Sequence, residues 1–244
     1  MNGWTPDPDF SRLNPLPLFA HAAPFLSASG KETFLYRALF DYVNNWKPQY
    51  QKRGTCVGQG AKLGADTLEA VFCKVEKADW VGRASVAGMY AGSRVEIAGQ
   101  PGRWDGSNGS WVAKYVEKYG MLMLKDLGLP EDSCDEDENL ATKWAASREG
   151  IPAEFEAFAK KYPITITARI TNFEDAAAAI ENGYPVINCS NMIPSGRKDK
   201  DGFATASRGG GHCELFWAVR YGNRPGLLQQ NSWSENFAAS GGKY

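Results

Sequence analysis

The chain carries five cysteines and two histidines in 244 residues, so thiol chemistry that needs an imidazole base can be assembled in few ways. Cys56 stands apart from the other cysteines. It lies in QKRGTCVGQGAKLG, residues 51–64, at the point where a helix is expected to start. A free thiol has a pKa near about 8.5 and is only a few per cent ionised at neutral pH. Two devices lower that value, the positive end of a helix dipole and a nearby imidazolium. Local sequence supplies the first at Cys56, with Thr55 as the expected N-cap and Gly54 letting the chain turn sharply before it. His212 is the candidate for the second. It follows RGGG and opens HCELFWAVRYG, which reads as a strand and would place the ring at the rim of another lobe. Downstream, LLQQNSW ends an apolar strand in polar residues. The Asn231 oxygen there could accept the other ring N–H of His212 and fix its tautomer, with Trp233 shielding that bond from water.

The remaining cysteines and the second histidine read as bland. Cys73 and Cys189 fit small buried hydrophobes, Cys134 an exposed position, and Cys213 a packing residue next to His212. His21 lies in a proline-rich arm and reads as a surface residue. An odd cysteine count without CxxC spacing argues against a disulfide framework or a zinc site. No metal and no cofactor are expected, and a reducing compartment fits best.

The elements that must carry these residues are legible from periodicity. Residues 1–30, rich in proline, are expected to form an extended surface arm. KETFLYRALFDYVNNW (31–46) reads as an amphipathic helix. A second helix runs from Thr55 or Cys56 to about Val75, with Val57, Ala61, Ala65, Leu68, Val71 and Phe72 at helical spacing. Gly58, Gly60 and Gly64 each cost this helix about 1 kcal/mol relative to alanine, which makes sense where backbone approaches backbone. Residues 83–99 and 110–122 read as two more helices, and 126–162 as polar and partly helical. Then YPITITARI (162–170) alternates like a strand, NFEDAAAAIENG is a short helix, and YPVINCS (184–190) is a buried strand. A long loop, 191–211, precedes two neighbouring strands joined by NRPG. A helical first half and a sheet-rich second half give an α+β protein of two lobes. The boundaries are 1–48 for the arm and first helix, 49–160 for a mainly helical lobe and 161–244 for a mainly β lobe.

Composition excludes little beyond the extremes. A net charge of −1 gives no bias toward nucleic acid or an anionic membrane. No apolar run reaches the roughly 18–20 residues that span a bilayer. The N-terminal stretch has no basic region and is broken by prolines, against a signal peptide. EDSCDEDEN (131–139) is expected as a solvated acidic loop or helix start, and SGRKDKDG as a solvated loop. GGG before His212 lacks the lysine and following helix of a phosphate loop.

The order Cys56, His212, Asn231-Ser232-Trp233 resembles the papain-like cysteine peptidases. DGSNGSWVAKYVEKYGM is similar to that family's GCNGG loop and following helix, FEDAAAAIENGYPVINC to its short helix and "PV" strand, and VRYG to its VGYG. The resemblance covers about residues 50–122 and 164–237. It implies a helical lobe bearing the cysteine, a β-barrel-like lobe bearing the histidine, and a peptide or protein substrate in the cleft between them. On that resemblance Cys56 is the nucleophile, His212 the base and then the acid, Asn231 the orienting residue and Trp233 its cover. The oxyanion would be held by the Cys56 N–H and a glutamine side chain, Gln51, with Gln49 the alternative. Gly109 and Ser110 would bind an extended substrate strand.

Four departures qualify the resemblance. The family's glutamine position is Tyr50 here, one residue from Gln51. Val57 replaces the aromatic that follows the cysteine. Arg53 and Ser107 stand where the family has a disulfide, as in a member that works in a reducing compartment or within a virion. The chain stops at Tyr244, soon after NSWSENF, where the family adds at least one strand, so a partner in a larger assembly is one way to cover that edge. Two other functions are compatible with the same residues: a papain-like module that has lost catalysis and serves an assembly, and an amidase or transglutaminase-like acyl transferase.

Overall fold

The computed structural model describes residues 3–233. In chain order its elements are α1 (Pro8–Leu13), α2 (Phe19–Ala22), β1 (Thr33–Phe34), α3 (Tyr36–Tyr42), α4 (Cys56–Glu76) and α5 (Val86–Ala91), which continues as a π-helical turn, Gly92–Ile97. After them come α6 (Gly109–Tyr119), α7 (Cys134–Ala146), α8 (Ala153–Ala159), α9 (Phe173–Glu181), β2 (Val186–Lys198), β3 (Ala204–Arg220) and β4 (Gly226–Gln230).

Helix α4 belongs to both lobes. Its first turns place Val57 and Ala61 in a core with Val86, Met89, Tyr115 and Trp144. Ala70, further along, belongs to a second core with Leu39, Ile180, Leu215, Trp217 and Val219. The glycines explain how it fits. A Cβ at Gly58 would lie 2.9 Å from Tyr90 Cβ, and one at Gly60 would lie 3.0 Å from Cys213 Sγ. The helix is thus wedged between α5 on one side and β3 on the other, as the clustered glycines predict. It ends at Lys77, a left-handed cap whose N–H donates to the Cys73 carbonyl.

The second lobe is an antiparallel sheet in which the long β3 pairs with β2, β1 and β4. The register sets Cys189 opposite Cys213 and Ser190 opposite His212.

Several expectations are corrected. The helix over 31–46 shrinks to Tyr36–Tyr42, because the preceding residues join the sheet: Thr33 and Phe34 pair with Val219 and Ala218, and Leu35 N–H donates to Trp217 O. The alternating stretch 162–170 forms no strand. Its backbone is satisfied elsewhere, with Thr167 N–H and Oγ1 both on Glu117 at 2.7 Å and one isolated bridge between Arg169 and Leu18. The loop 191–211 is mostly the two arms of the β2–β3 hairpin, turned by Asp199, whose Oδ1 accepts from Asp201 and Phe203 N–H. Residues 1–30 are not simply extended, since α1 and α2 interrupt them. The expectation about the C-terminal edge concerns 234–244, outside the described residues. Among the described residues no helix is long and apolar enough to cross a membrane.

Candidate active site

Cys56 is the first residue of α4 and is 0% exposed. The approach to it differs from the sequence expectation in two ways. Gly54 is required by contact rather than by a turn, since a Cβ there would meet Asp105 Cβ at 2.5 Å. Thr55 makes no side-chain cap; its hydroxyl donates to Glu138 Oε1 at 2.5 Å. Glu138 also accepts the N–H groups of Lys52, at 2.9 Å, and Arg53, at 3.2 Å. One buried carboxylate on α7 therefore fixes the loop that presents the cysteine. Its neighbour Asp137 does the same for the start of α5, accepting from Val86 and Ala87 N–H and from Ser85 Oγ. The acidic run read as solvated supplies two internal anchors, and only the pairing across the fold reveals it.

Burial drives the Cys56 thiol well above its ordinary pKa, while the backbone N–H groups of Cys213 and Val57, directed at the sulfur, pull it down. In this state desolvation outweighs the helix terminus. The contact with Cys213 N–H brings the residue after His212 onto the nucleophile candidate, so the two lobes meet at this point.

His212 lies within β3 rather than at its start, 3% exposed, its ring stacked on Trp233 with centroids 4.0 Å apart and planes 24° from parallel. Burial lowers its pKa to about 4. Among the described residues Nε2 has no hydrogen-bond partner, and it faces Glu214 Oε1 at 3.8 Å. Asn231 is close in sequence to Trp233 and uses its Oδ1 to accept Trp233 N–H at 2.6 Å, while its Nδ2 has no partner among the described residues. Gln51 is 2% exposed and ties the cysteine loop to the NSW segment: its N–H donates to Ser232 O at 2.8 Å, and its Oε1 accepts from the Ser232 hydroxyl. Its Nε2 donates to Arg53 O at 2.9 Å.

A piece of the chain itself lies over the cysteine. Gly3 and Trp4 N–H donate to Gly211 O, next to His212, at 3.1 and 3.3 Å. On the other side Thr5 N–H donates to Ser107 O at 2.8 Å, and Ser107 N–H donates to Gly3 O at 3.1 Å. Asn108 Nδ2 adds a bond to Thr5 O at 2.7 Å. Gly3 is so close to the sulfur that a Cβ on it would stand 2.4 Å from Cys56 Sγ. The backbone that meets this extended segment is that of Ser107. Gly109 instead packs on Cys189, and Ser110 shares a 3.0 Å contact between hydroxyls with Ser11 of α1. Behind the wall, buried Arg94 holds the carbonyls of Gly102 and Trp104 and so shapes the loop before Ser107.

This architecture, a helical lobe and an antiparallel β lobe joined along a helix that begins with cysteine, is the papain-like cysteine peptidase fold. Xylellain, a cysteine protease from Xylella fastidiosa, superposes with a TM-score of 0.61 over 95% of this chain and 85% of its own, at 15% identity. The procathepsin B S9 of Trypanosoma congolense superposes with a TM-score of 0.56 over 96% of this chain and 76% of its own, at 13% identity. No family model matches the sequence, and no curated protein matches it either.

Proposed function

We propose that the chain is a cysteine peptidase whose cleft is covered by its own N-terminal segment. The observation that carries this reading is the segment Gly3–Thr5, an extended peptide held by backbone hydrogen bonds to Ser107 on one wall and Gly211 on the other, directly over Cys56. A cleft that binds backbone in this manner suits a peptide substrate. In the reaction, the Cys56 sulfur attacks the scissile carbonyl carbon while His212 takes the thiol proton. His212 then passes that proton to the leaving amine as the C–N bond breaks, leaving a thioester. Water, deprotonated by His212, attacks the thioester and releases the acid and the thiol. The Cys56 N–H and the Gln51 amide are the donors for the oxyanion, the latter after giving up the Arg53 carbonyl. Trp233 keeps water from the ring of His212.

A second reading, a papain-like module without catalysis, is favoured by one observation, the commitment of the Gln51 amide to Arg53 and Ser232. The test is hydrolysis of a fluorogenic peptide library by the full chain and by a variant with the arm displaced, with Cys56→Ala as control. Cleavage that depends on Cys56 and rises when the arm is displaced supports the peptidase. Absence of Cys56-dependent cleavage, with Cys56 alkylated no faster than Cys73, favours the module. Isopeptide and cell-wall amide substrates in the same panel separate an amidase or acyl transferase from both.

A further inference from the structure

His212 and Glu214 stand two residues apart on β3, so their side chains leave the strand on one face. Glu214 is 2% exposed, and its Oε1 has no hydrogen-bond partner among the described residues; the imidazole Nε2 opposite, likewise without one among them, is 3.8 Å away. Two buried polar atoms without partners, facing each other, ask for an explanation. About 1 Å of side-chain movement brings them to hydrogen-bond length. Asn231, in contrast, spends its oxygen on Trp233 N–H, and the atom it leaves without a partner among the described residues, Nδ2, is a donor. Next to Glu214 a cavity of about 20 Å³, room for one water molecule, is walled by Gln59, Arg83, Gln230, Asn231 and Ser232. Trp46, Pro48 and Leu63 line it as well, so the carboxyl has both polar and apolar neighbours there.

We propose that Glu214 is the positioning residue of His212: its carboxylate accepts the Nε2 proton, leaves Nδ1 as the base, and neutralises the imidazolium formed when Cys56 gives up its proton. The inference rests on the peptidase reading for its role in catalysis. His212 faces Glu214 from the same side of β3, and Arg83, whose guanidinium is paired with Asp66 at 3.0 Å, lines the same cavity; Cys56 on α4 and Cys213, the next residue on β3, lie within electrostatic reach. Burial raises the Glu214 pKa to about 8. At neutral pH the carboxyl therefore holds its proton and, once the pair closes to hydrogen-bond length, donates to Nε2, which puts the ring proton on Nδ1, the wrong nitrogen for a base. Ionisation of Glu214 reverses the tautomer, so alkaline pH switches the pair on.

A His21→Gln background leaves His212 as the single imidazole, whose tautomer and titration are read by ¹⁵N-histidine NMR. The expected result is a change from the Nδ1–H to the Nε2–H form around pH 8, lost in Glu214→Gln and kept in Glu214→Asp. In the same background with Gly3→Ala, Glu214→Gln slows alkylation of Cys56 at alkaline pH about 10-fold or more. A tautomer switch that survives Glu214→Gln, or one removed by Asn231→Ala but not by Glu214→Gln, overturns the proposal. Peptide cleavage with an unaltered pH profile in Glu214→Gln overturns it while leaving the peptidase intact. A Glu214-dependent switch in a chain that cleaves nothing retains the pairing and removes the peptidase.

Discussion

Gly3→Ala is a sensitive probe of the covered cleft. Its methyl carbon would stand 2.4 Å from Cys56 Sγ and 3.2 Å from both Cys56 Cβ and the Gly54 carbonyl carbon. Sulfur and carbon cannot approach so closely, and neither neighbour can retreat, because Cys56 is 0% exposed and Gly54 is pressed against Asp105. The segment must lift. Overpacking of this kind costs about 1–3 kcal/mol. Taking about 2 kcal/mol, at 1.4 kcal/mol per tenfold, the uncovered population rises roughly 30-fold. The whole cost falls on the covered state, since Gly3 touches Cys56 only there. The assay is the pseudo-first-order rate of iodoacetamide alkylation, followed by peptide mass mapping, with the half-buried Cys134 as internal reference. The expected outcome is a selective acceleration at Cys56 of about 30-fold with Cys134 unchanged. An unchanged Cys56 rate in a folded Gly3→Ala protein refutes the idea that this segment governs access.

Other expectations follow from the same contacts. Glu138→Ala removes the acceptor of three donors in the cysteine loop and should cost about 2–4 kcal/mol in urea unfolding; a loss under about 0.5 kcal/mol would mean that the loop holds itself. Gly58→Ala gains about 1 kcal/mol of helix propensity but meets Tyr90 Cβ at 2.9 Å, so a net loss of about 1–2 kcal/mol is expected. Gly64→Ala meets the end of Leu215 at 3.3 Å and Ile187 at an ordinary contact distance of 3.5 Å, and should stay within about 0.5 kcal/mol of the parent. If both stabilise equally, the close approach to α5 is not what selects the glycine. Between the unperturbed values of 4.5 and 6.5 the contributions of Glu214 and His212 run in opposite directions and offset each other, so stability should be nearly flat there and fall below about pH 4.5 and above about pH 6.5. His212, with its folded pKa lowered to about 4, contributes fully above 6.5 and loses as pH falls toward 4. Glu214, raised to about 8, contributes fully below 4.5 and loses as pH rises to 8. Each limb amounts to a few kcal/mol at most, about 1.4 per pKa unit. Urea midpoints against pH should show the alkaline limb flattened in Glu214→Gln, and an unflattened limb would assign it elsewhere.

Much of the scaffold was present in the sequence because its causes are local. The apolar spacing of Val57, Ala61 and Leu68 requires a helix wherever the chain goes, and its glycines announce a close neighbour. The alanine run before Tyr184 likewise gives a short helix leading into a strand. The chain order of Cys56, His212 and the NSW segment was readable for the same reason, as was the α+β division. What tertiary structure alone decided are the partners. Glu138 and Asp137 look like solvent-facing acids until folding sets them against backbone N–H groups 85 and 86 residues away in the first case and 50 and 51 in the second. Thr55 has the chemistry of a cap, yet the carboxylate of α7 claims its hydroxyl. Thr167 lies in a strand-like pattern, but Glu117 takes its N–H and no ladder forms. Gly3 is an unremarkable residue in a proline-rich arm until the arm crosses between the lobes. Glu214 reads as one polar position in an apolar strand, and only its placement beside a buried imidazole gives it work to do. Local periodicity is written in adjacent residues, whereas the identity of a hydrogen-bond partner depends on which distant segments the two cores bring together.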